Sequence, residues 1–240
     1  MQVTGIIPAR YASTRLPGKP LKEIAGQPMI EHVYRQAIAA DSLDQVIVAT
    51  DDQRIYQAVE DFGGQVEMTS KQHQTGTDRL AEVAQNLDTG IIVNVQGDEP
   101  LLNPKMIDQA VEPLLDDSTI QMGTLKHKIT EQEEIESPHI VKVITDQDGF
   151  ALYFSRAAIP YPRQATGLNY YKHIGLYVYR RDFLLNYTEM KQTPLEKEES
   201  LEQLRVLENG YRIKVVETEY QAIGVDTPED LERVRRAINN

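Results

Sequence analysis

The chain has 240 residues, 40% hydrophobic and 26% charged, enough to bury a large core, and it contains no cysteine, which excludes disulfides, thiolate metal sites and cysteine nucleophiles. Its 25 lysines and arginines against 37 aspartates and glutamates give a formal net charge of -12, which disfavours broad nucleic-acid or anionic-membrane binding and leaves any basic cluster for a small anion. No apolar run is long enough to span a membrane or serve as a signal h-region, so the cytoplasm is the expected compartment.

An apolar strand is expected at residues 3–7, running into the loop IPARYASTRLPGKPL over residues 7–21. Pro8 and Pro17 deny that loop regular hydrogen bonding, Gly18 permits an unusual turn, and Ser13 and Thr14 add donors. Arg10, Arg15 and Lys19 are left to converge on one polyanion, and a nucleotide fits that description. Met29, Ile30, Val33, Tyr34, Ala37 and Ile38 then form one helical face, and a strand follows at 46–50. Asp51 or Asp52 caps a helix on Ile55, Val59 and Phe62 that Gly63 and Gly64 end, with a short strand around Val66. Leu80, Val83, Ala84 and Leu87 mark another helix, and residues 91–95 read as a buried strand. Asn103 and Pro104 start a helix on Ile107, Ala110, Val111 and Leu114. Such alternation predicts an α/β fold with a Rossmann-like, doubly wound, mostly parallel sheet.

From about Thr119 the pattern changes. Residues 140–145 and 150–154 flank Gln147, Asp148 and Gly149 as a hairpin, and 174–179 adds an aromatic-rich strand. This predicts an antiparallel lobe over about residues 140–180, inserted in a single catalytic unit spanning 1–240. A Glu-rich helix on Leu201, Leu204 and Leu207, a strand at 213–216 and a helix on Leu231, Val234 and Ile238 complete the chain.

In open parallel sheets ligands sit beyond the carboxyl ends of the strands, so the residues after each strand carry the chemistry. Gly97 allows a close backbone approach, and Asp98 can reach the sheet edge to hold a hard cation. Asp226, after the apolar Ala222, Ile223 and Val225, is the natural second ligand, although its place before Thr227 and Pro228 also suits a helix cap. Asp51 and Asp52 read mainly as caps. Thr75, Gly76, Thr77, Asp78 and Arg79 open a helix whose free N–H groups and arginine can meet a base or phosphate; a first-turn acid and a solvated arginine explain them about as well. The five histidines lack metal-ligand spacing, and only His173, in the polar strand KHIGLY, stands out.

Taken together, IPARYASTRLPGKPL, ATDD (49–52), TGTDR (75–79), NVQGDEP (94–100), ALYFSR (151–156), KHIGLY (172–177), LEQLR (201–205) and GVDTPE (224–229) resemble the 3-deoxy-D-manno-octulosonate (Kdo) cytidylyltransferases across nearly the whole chain. The resemblance implies a fold of the nucleotide-diphospho-sugar transferase type. It implies Mg²⁺-dependent in-line attack of the anomeric 2-hydroxyl of Kdo on the α-phosphorus of CTP, giving CMP-Kdo and pyrophosphate for lipopolysaccharide. On this carry-over Ala9, Arg10, Ser13, Arg15, Lys19, Thr75, Gly76, Arg79 and Gln96 surround CTP, and Asp98 and Asp226 bind the metal. Catalysis falls to Arg10, Arg15, Lys19 and the two aspartates. Arg156, His173, Tyr177, Glu202 and Gln203 match positions around the sugar, with Arg156 and His173 on its carboxylate and Glu202 and Gln203 on its hydroxyls. The resemblance also implies a homodimer formed through the lobe. Three other readings stay open: a cytidylyltransferase for an 8-amino Kdo analogue or a sialic acid, a nucleotide-sugar glycosyltransferase, and an inactive sensor. The three-cation loop argues against the second, and retention of Asp98 and Asp226 against the third.

Overall fold

The computed structural model describes residues 1–12, 16–73, 75–164, 167–221 and 223–238. Ser13, Thr14, Arg15 and Ala222 lie outside the described residues. The chain forms two compact units, Met1–Asp108 with Gln221–Asn240, and Gln109–Tyr220, and the segment 140–180 lies within the second unit.

In the first unit, β1 (Val3–Ala9) leads through a 3₁₀ turn (Lys19–Leu21) and the hairpin β2 (Glu23–Ile24) and β3 (Gln27–Pro28) to α1 (Met29–Ile38). Then come β4 (Gln45–Thr50), α2 (Gln53–Asp61), β5 (Gln65–Met68), α3 (Gly76–Gln85) and β6 (Ile91–Asn94). The strands lie in the order β6-β1-β4-β5, every neighbouring pair parallel. Ile6, Ile7, Val48, Ala49, Ile92 and Val93 are fully buried, as strands covered on both faces require. The helices supply that cover with the faces their spacing predicts: Met29, Ile30, Val33 and Ala37 on α1, Ile55 and Val59 on α2, Leu80 and Val83 on α3. The chain steps outward from β1 to β4 and β5, then returns to the other side of β1 as β6. That reversal places a crevice beyond the ends of β1 and β6.

The helix α4 (Pro104–Asp116) carries the chain into the second unit. There β7 (Met122–Lys128), α5 (Gln132–Glu136), β8 (Lys142–Thr145), β9 (Ala151–Ser155), β10 (Tyr171–Arg180), α6 (Arg181–Glu189), α7 (Pro194–Glu199), α8 (Gln203–Glu208) and β11 (Ile213–Glu217) follow. β8 and β9 form the expected antiparallel hairpin. β7, unforeseen in the sequence, pairs antiparallel with β10 and parallel with β11. The expected single Glu-rich helix is two, because Ser200 turns left-handed at φ 53 between α7 and α8. The chain then re-enters the first unit and ends in α9 (Pro228–Ile238), whose Leu231 and Val234 pack with Leu16, Ile24, Met29 and Val225. That packing fixes the segment carrying Asp226.

Candidate active site

Beyond the ends of β1 and β6 lies a cleft of about 460 Å³ whose lining includes Ala9, Arg10, Lys19, Gln96, Asp98 and Asp226. Three separate segments meet there. The loop after β1 is shaped by Gly18, which turns at φ 67, a left-handed conformation that favours glycine, and donates its N–H to Tyr11 O at 3.0 Å; a Cβ there would sit tightly, 3.1 Å from the Tyr11 ring. Lys19 follows immediately. The loop after β6 presses against β1, because a Cβ on Gly97 would fall 2.7 Å from Pro8 O. The close approach foreseen for Gly97 is therefore made to the protein's own backbone.

Lys19 joins the two acids. Its Nζ donates to Asp98 Oδ2 at 2.8 Å and to Asp226 Oδ1 at 3.0 Å. The Lys19 side chain is 14% exposed against 34% for Asp98 and 46% for Asp226, so the carboxylates are the more open to solvent. Burial pushes the Lys19 ammonium down, but Asp98 and Asp226 more than offset this and hold it above the ordinary lysine range. The main chain reinforces the junction, with Val225 N donating to Asp98 O at 2.9 Å. The ambiguity over Asp226 is resolved by α9, which is capped by Thr227: its Oγ1 accepts from Asp230 N at 3.2 Å while its N–H donates to Asp230 Oδ2 at 3.1 Å. Asp226 is thus not the cap.

Next to Asp98, burial and the Asp98 charge push the Glu99 carboxyl up to about 8, so at neutral pH it is mostly protonated, and its Oε2 has no hydrogen-bond partner among the described residues. Among the described residues no three acidic or imidazole groups cluster as a metal cage. Two carboxylates already gathered around one cationic group fit Mg²⁺, which usually takes one or two and completes its shell with water and phosphate oxygens.

At the start of α3, Thr75 and Asp78 form a capping box, Asp78 N donating to Thr75 Oγ1 at 3.1 Å and Thr75 N to Asp78 Oδ2 at 3.1 Å. Gly76 lines the cleft. Arg79 departs from both sequence readings. It is neither solvated nor at the cleft surface but fully buried, donating to Asp51 Oδ2 at 2.8 Å and to Thr69 Oγ1. Desolvation of a guanidinium demands such a partner, so Asp51, expected to cap, is its counterion, and Asp52 alone caps α2. Arg79 therefore ties together the loops after β4 and β5.

In the second unit the residues matched to a sugar site gather along β10 and the α7–α8 junction. The register of β10 against β7 shifts between Ile174 and Tyr177, and Thr124 Oγ1 contacts the carbonyls of Ile174 and Leu176 at 3.0 and 2.8 Å. A hydroxyl has one hydrogen, which goes to these carbonyls, so His173 Nε2, 3.0 Å from Thr124 Oγ1, is the donor of that contact. Burial lowers the His173 pKa to about 3. The ring is neutral with Nδ1 as acceptor, packed 5.0 Å from Phe154 and 5.3 Å from Tyr177 between centroids. A neutral acceptor suits a hydroxyl. Burial also drives the Tyr177 phenol well above its ordinary value, with the Glu202 charge adding to the effect.

Gln203 is 3% exposed, and its Nε2 has no acceptor among the described residues. Arg156 donates through Nε to Glu199 O at 2.8 Å and through Nη1 to Pro138 O at 3.1 Å, which ties it to the end of α7. Sequence reasoning missed Glu199 and Lys142 and read Asp51 only as a cap; Lys142, a charge inside an apolar strand, carried a local signal.

A family model described as cytidylyltransferase matches residues 4–214. The chain is 59% identical over 245 residues, covering 98% of both chains, to the 3-deoxy-manno-octulosonate cytidylyltransferase of Geotalea uraniireducens (strain Rf4). It is also 59% identical to that of Geobacter metallireducens (strain ATCC 53774 / DSM 7210 / GS-15), covering 98% of this chain and 96% of the relative. A solved structure of CMP:2-keto-3-deoxy-manno-octonic acid synthetase complexed with CTP superposes with a TM-score of 0.96 at 45% identity, covering 100% of this chain and 99% of that one. The chain belongs to the cytidylyltransferase family and, within it, to the 3-deoxy-manno-octulosonate cytidylyltransferases.

Proposed function

We propose that this protein transfers CMP from CTP to the anomeric 2-hydroxyl of Kdo, releasing pyrophosphate and supplying CMP-Kdo for lipopolysaccharide synthesis in the cytoplasm. The observation that carries the reading is the convergence of Lys19, Asp98 and Asp226 beyond the ends of β1 and β6. Nucleotidyl transfer needs positioning and charge neutralisation more than a covalent nucleophile, and this cluster offers both. In this reading Arg10, Lys19 and, outside the described residues, Ser13 and Arg15 hold the triphosphate. Ala9, Thr75, Gly76 and Gln96 shape the nucleoside side, with Arg79 acting from behind. Asp98 and Asp226 would hold Mg²⁺, which when bound supplies neutralisation of phosphate charge and polarisation of the α-phosphate.

The residues matched to the sugar are read in the same way. Arg156 meets the carboxylate of Kdo, His173 Nδ1 and Glu202 accept from hydroxyls, and the unpartnered Gln203 Nε2 donates to one. Tyr177 walls the site beside His173. We assign the homodimer contact to the second unit, where the apolar side chains of Leu152, Tyr161 and Leu168 are 60%, 85% and 64% exposed.

The test is pyrophosphate release and ³¹P detection of the sugar nucleotide with CTP, Mg²⁺ and Kdo, against UTP with hexose phosphates. Turnover with the first set and little with the second supports the assignment, and the reverse pattern rejects it. Light scattering reads the dimer.

A further inference from the structure

Lys142 has no exposed surface although it sits on the short strand β8. Its Nζ donates to three backbone carbonyls, Ser137 O at 2.8 Å, Ile140 O at 2.7 Å and Arg156 O at 2.6 Å. An ammonium has three hydrogens, and each has its own acceptor. Burying a cation among carbonyls is costly, and a methionine would fill similar volume without that cost. The ammonium is explained by what it holds, the carbonyls of the 137–140 loop and of Arg156.

Glu199 grips the same residue, Arg156, through its backbone N–H. Its Oε2 accepts from Arg156 N at 2.9 Å, its Oε1 from Ser155 Oγ at 2.6 Å, and its main-chain O from Arg156 Nε at 2.8 Å. With Pro138 O on Nη1, the backbone N–H, the carbonyl and the root of the Arg156 guanidinium are all held, while Nη2 has no protein acceptor among the described residues. We propose that Lys142 is a positioning residue that, with Glu199, clamps Arg156 so that its Nη2 edge is presented to the carboxylate of the acceptor sugar. The inference rests on the reading that Arg156 meets that carboxylate. A side chain displaced by about 1 Å from its productive position can cost about 10²-fold in rate, which gives such a clamp its kinetic weight.

The experiment measures steady-state constants for both substrates in Arg156→Ala, Lys142→Met and the double variant, with folding checked by circular dichroism. Arg156→Ala is expected to raise the KM for Kdo about tenfold or more and to leave the KM for CTP within about twofold. Lys142→Met is expected to give the same split, and the double variant to be no worse than Arg156→Ala alone within about twofold, because both changes remove one function. If Arg156→Ala leaves the Kdo requirement unchanged, the assignment of Arg156 to the sugar fails and the clamp with it. If Arg156→Ala shows the split but a folded Lys142→Met does not, or the two effects multiply, the clamp alone is overturned. Should Lys142→Met not fold, Glu199→Gln acts on the same residue: a Kdo-specific rise supports the clamp, and a folded variant with unchanged Kdo KM overturns it.

Discussion

The N–H of Val225 donates to the carbonyl of Asp98 at 2.9 Å, a backbone bond between two segments far apart in sequence that precede Asp226 and Glu99. It places Asp226 beside Asp98 before any side chain is considered, and Lys19 then bridges the carboxylates. The position of one acid depends on the packing of α9 as much as on its own chemistry.

Leu231→Ala tests that dependence. Leu231 is 5% exposed and packs with Leu16, Ile24, Met29 and Val225. The substitution should cost about 2–5 kcal/mol in denaturant unfolding. It should also lower turnover at a temperature where the variant remains folded, since the Asp226 segment loses its support. Full turnover in a destabilised variant would separate α9 from the site.

Arg79 and Asp51 form a buried pair, Arg79 with no exposed surface. Removing one partner leaves the other charge buried, so Asp51→Ala should destabilise by about 3–5 kcal/mol. Equilibrium unfolding checks this, and a loss below about 1 kcal/mol, the range of an exposed pair, would show that Arg79 reaches solvent.

His173 gives a pH signature. The unfolded chain binds a proton at the ordinary histidine value of 6.5, while the folded chain resists until about 3. Stability from this group is therefore level above 6.5 and falls as pH drops from 6.5 towards 3, at no more than about 1.4 kcal/mol per pH unit. In His173→Gln that part of the slope should vanish in unfolding measured from pH 7 to pH 4. An unchanged slope would mean that the imidazole takes up its proton in the folded protein.

Much of the first unit is legible in the sequence because β1, β4 and β6 are largely apolar and its helices carry one apolar face each. β7 is not, since Gly123, Thr124, Lys126, His127 and Lys128 break the apolar pattern and its pairing comes from β10 and β11. The break at Ser200 is equally hidden, because a left-handed serine leaves the spacing of Leu201, Leu204 and Leu207 helical to the eye. At the site, Lys19, Asp98 and Asp226 are foreseeable as strand-end residues. Whether Asp226 or Thr227 caps α9 is not, since both suit a position before Pro228 and only the Thr227–Asp230 bonds decide. The fate of Arg79 depends on Asp51, a partner 28 residues away.

The most direct test is Asp98→Asn, with turnover measured alongside CTP affinity in the absence of divalent metal. If Asp98 acts through a metal in the transition state, pyrophosphate release should fall at least about 10²-fold while metal-free CTP affinity stays within about twofold. Turnover within about threefold of the parent chain would remove Asp98 from the reaction and contradict the account at its centre.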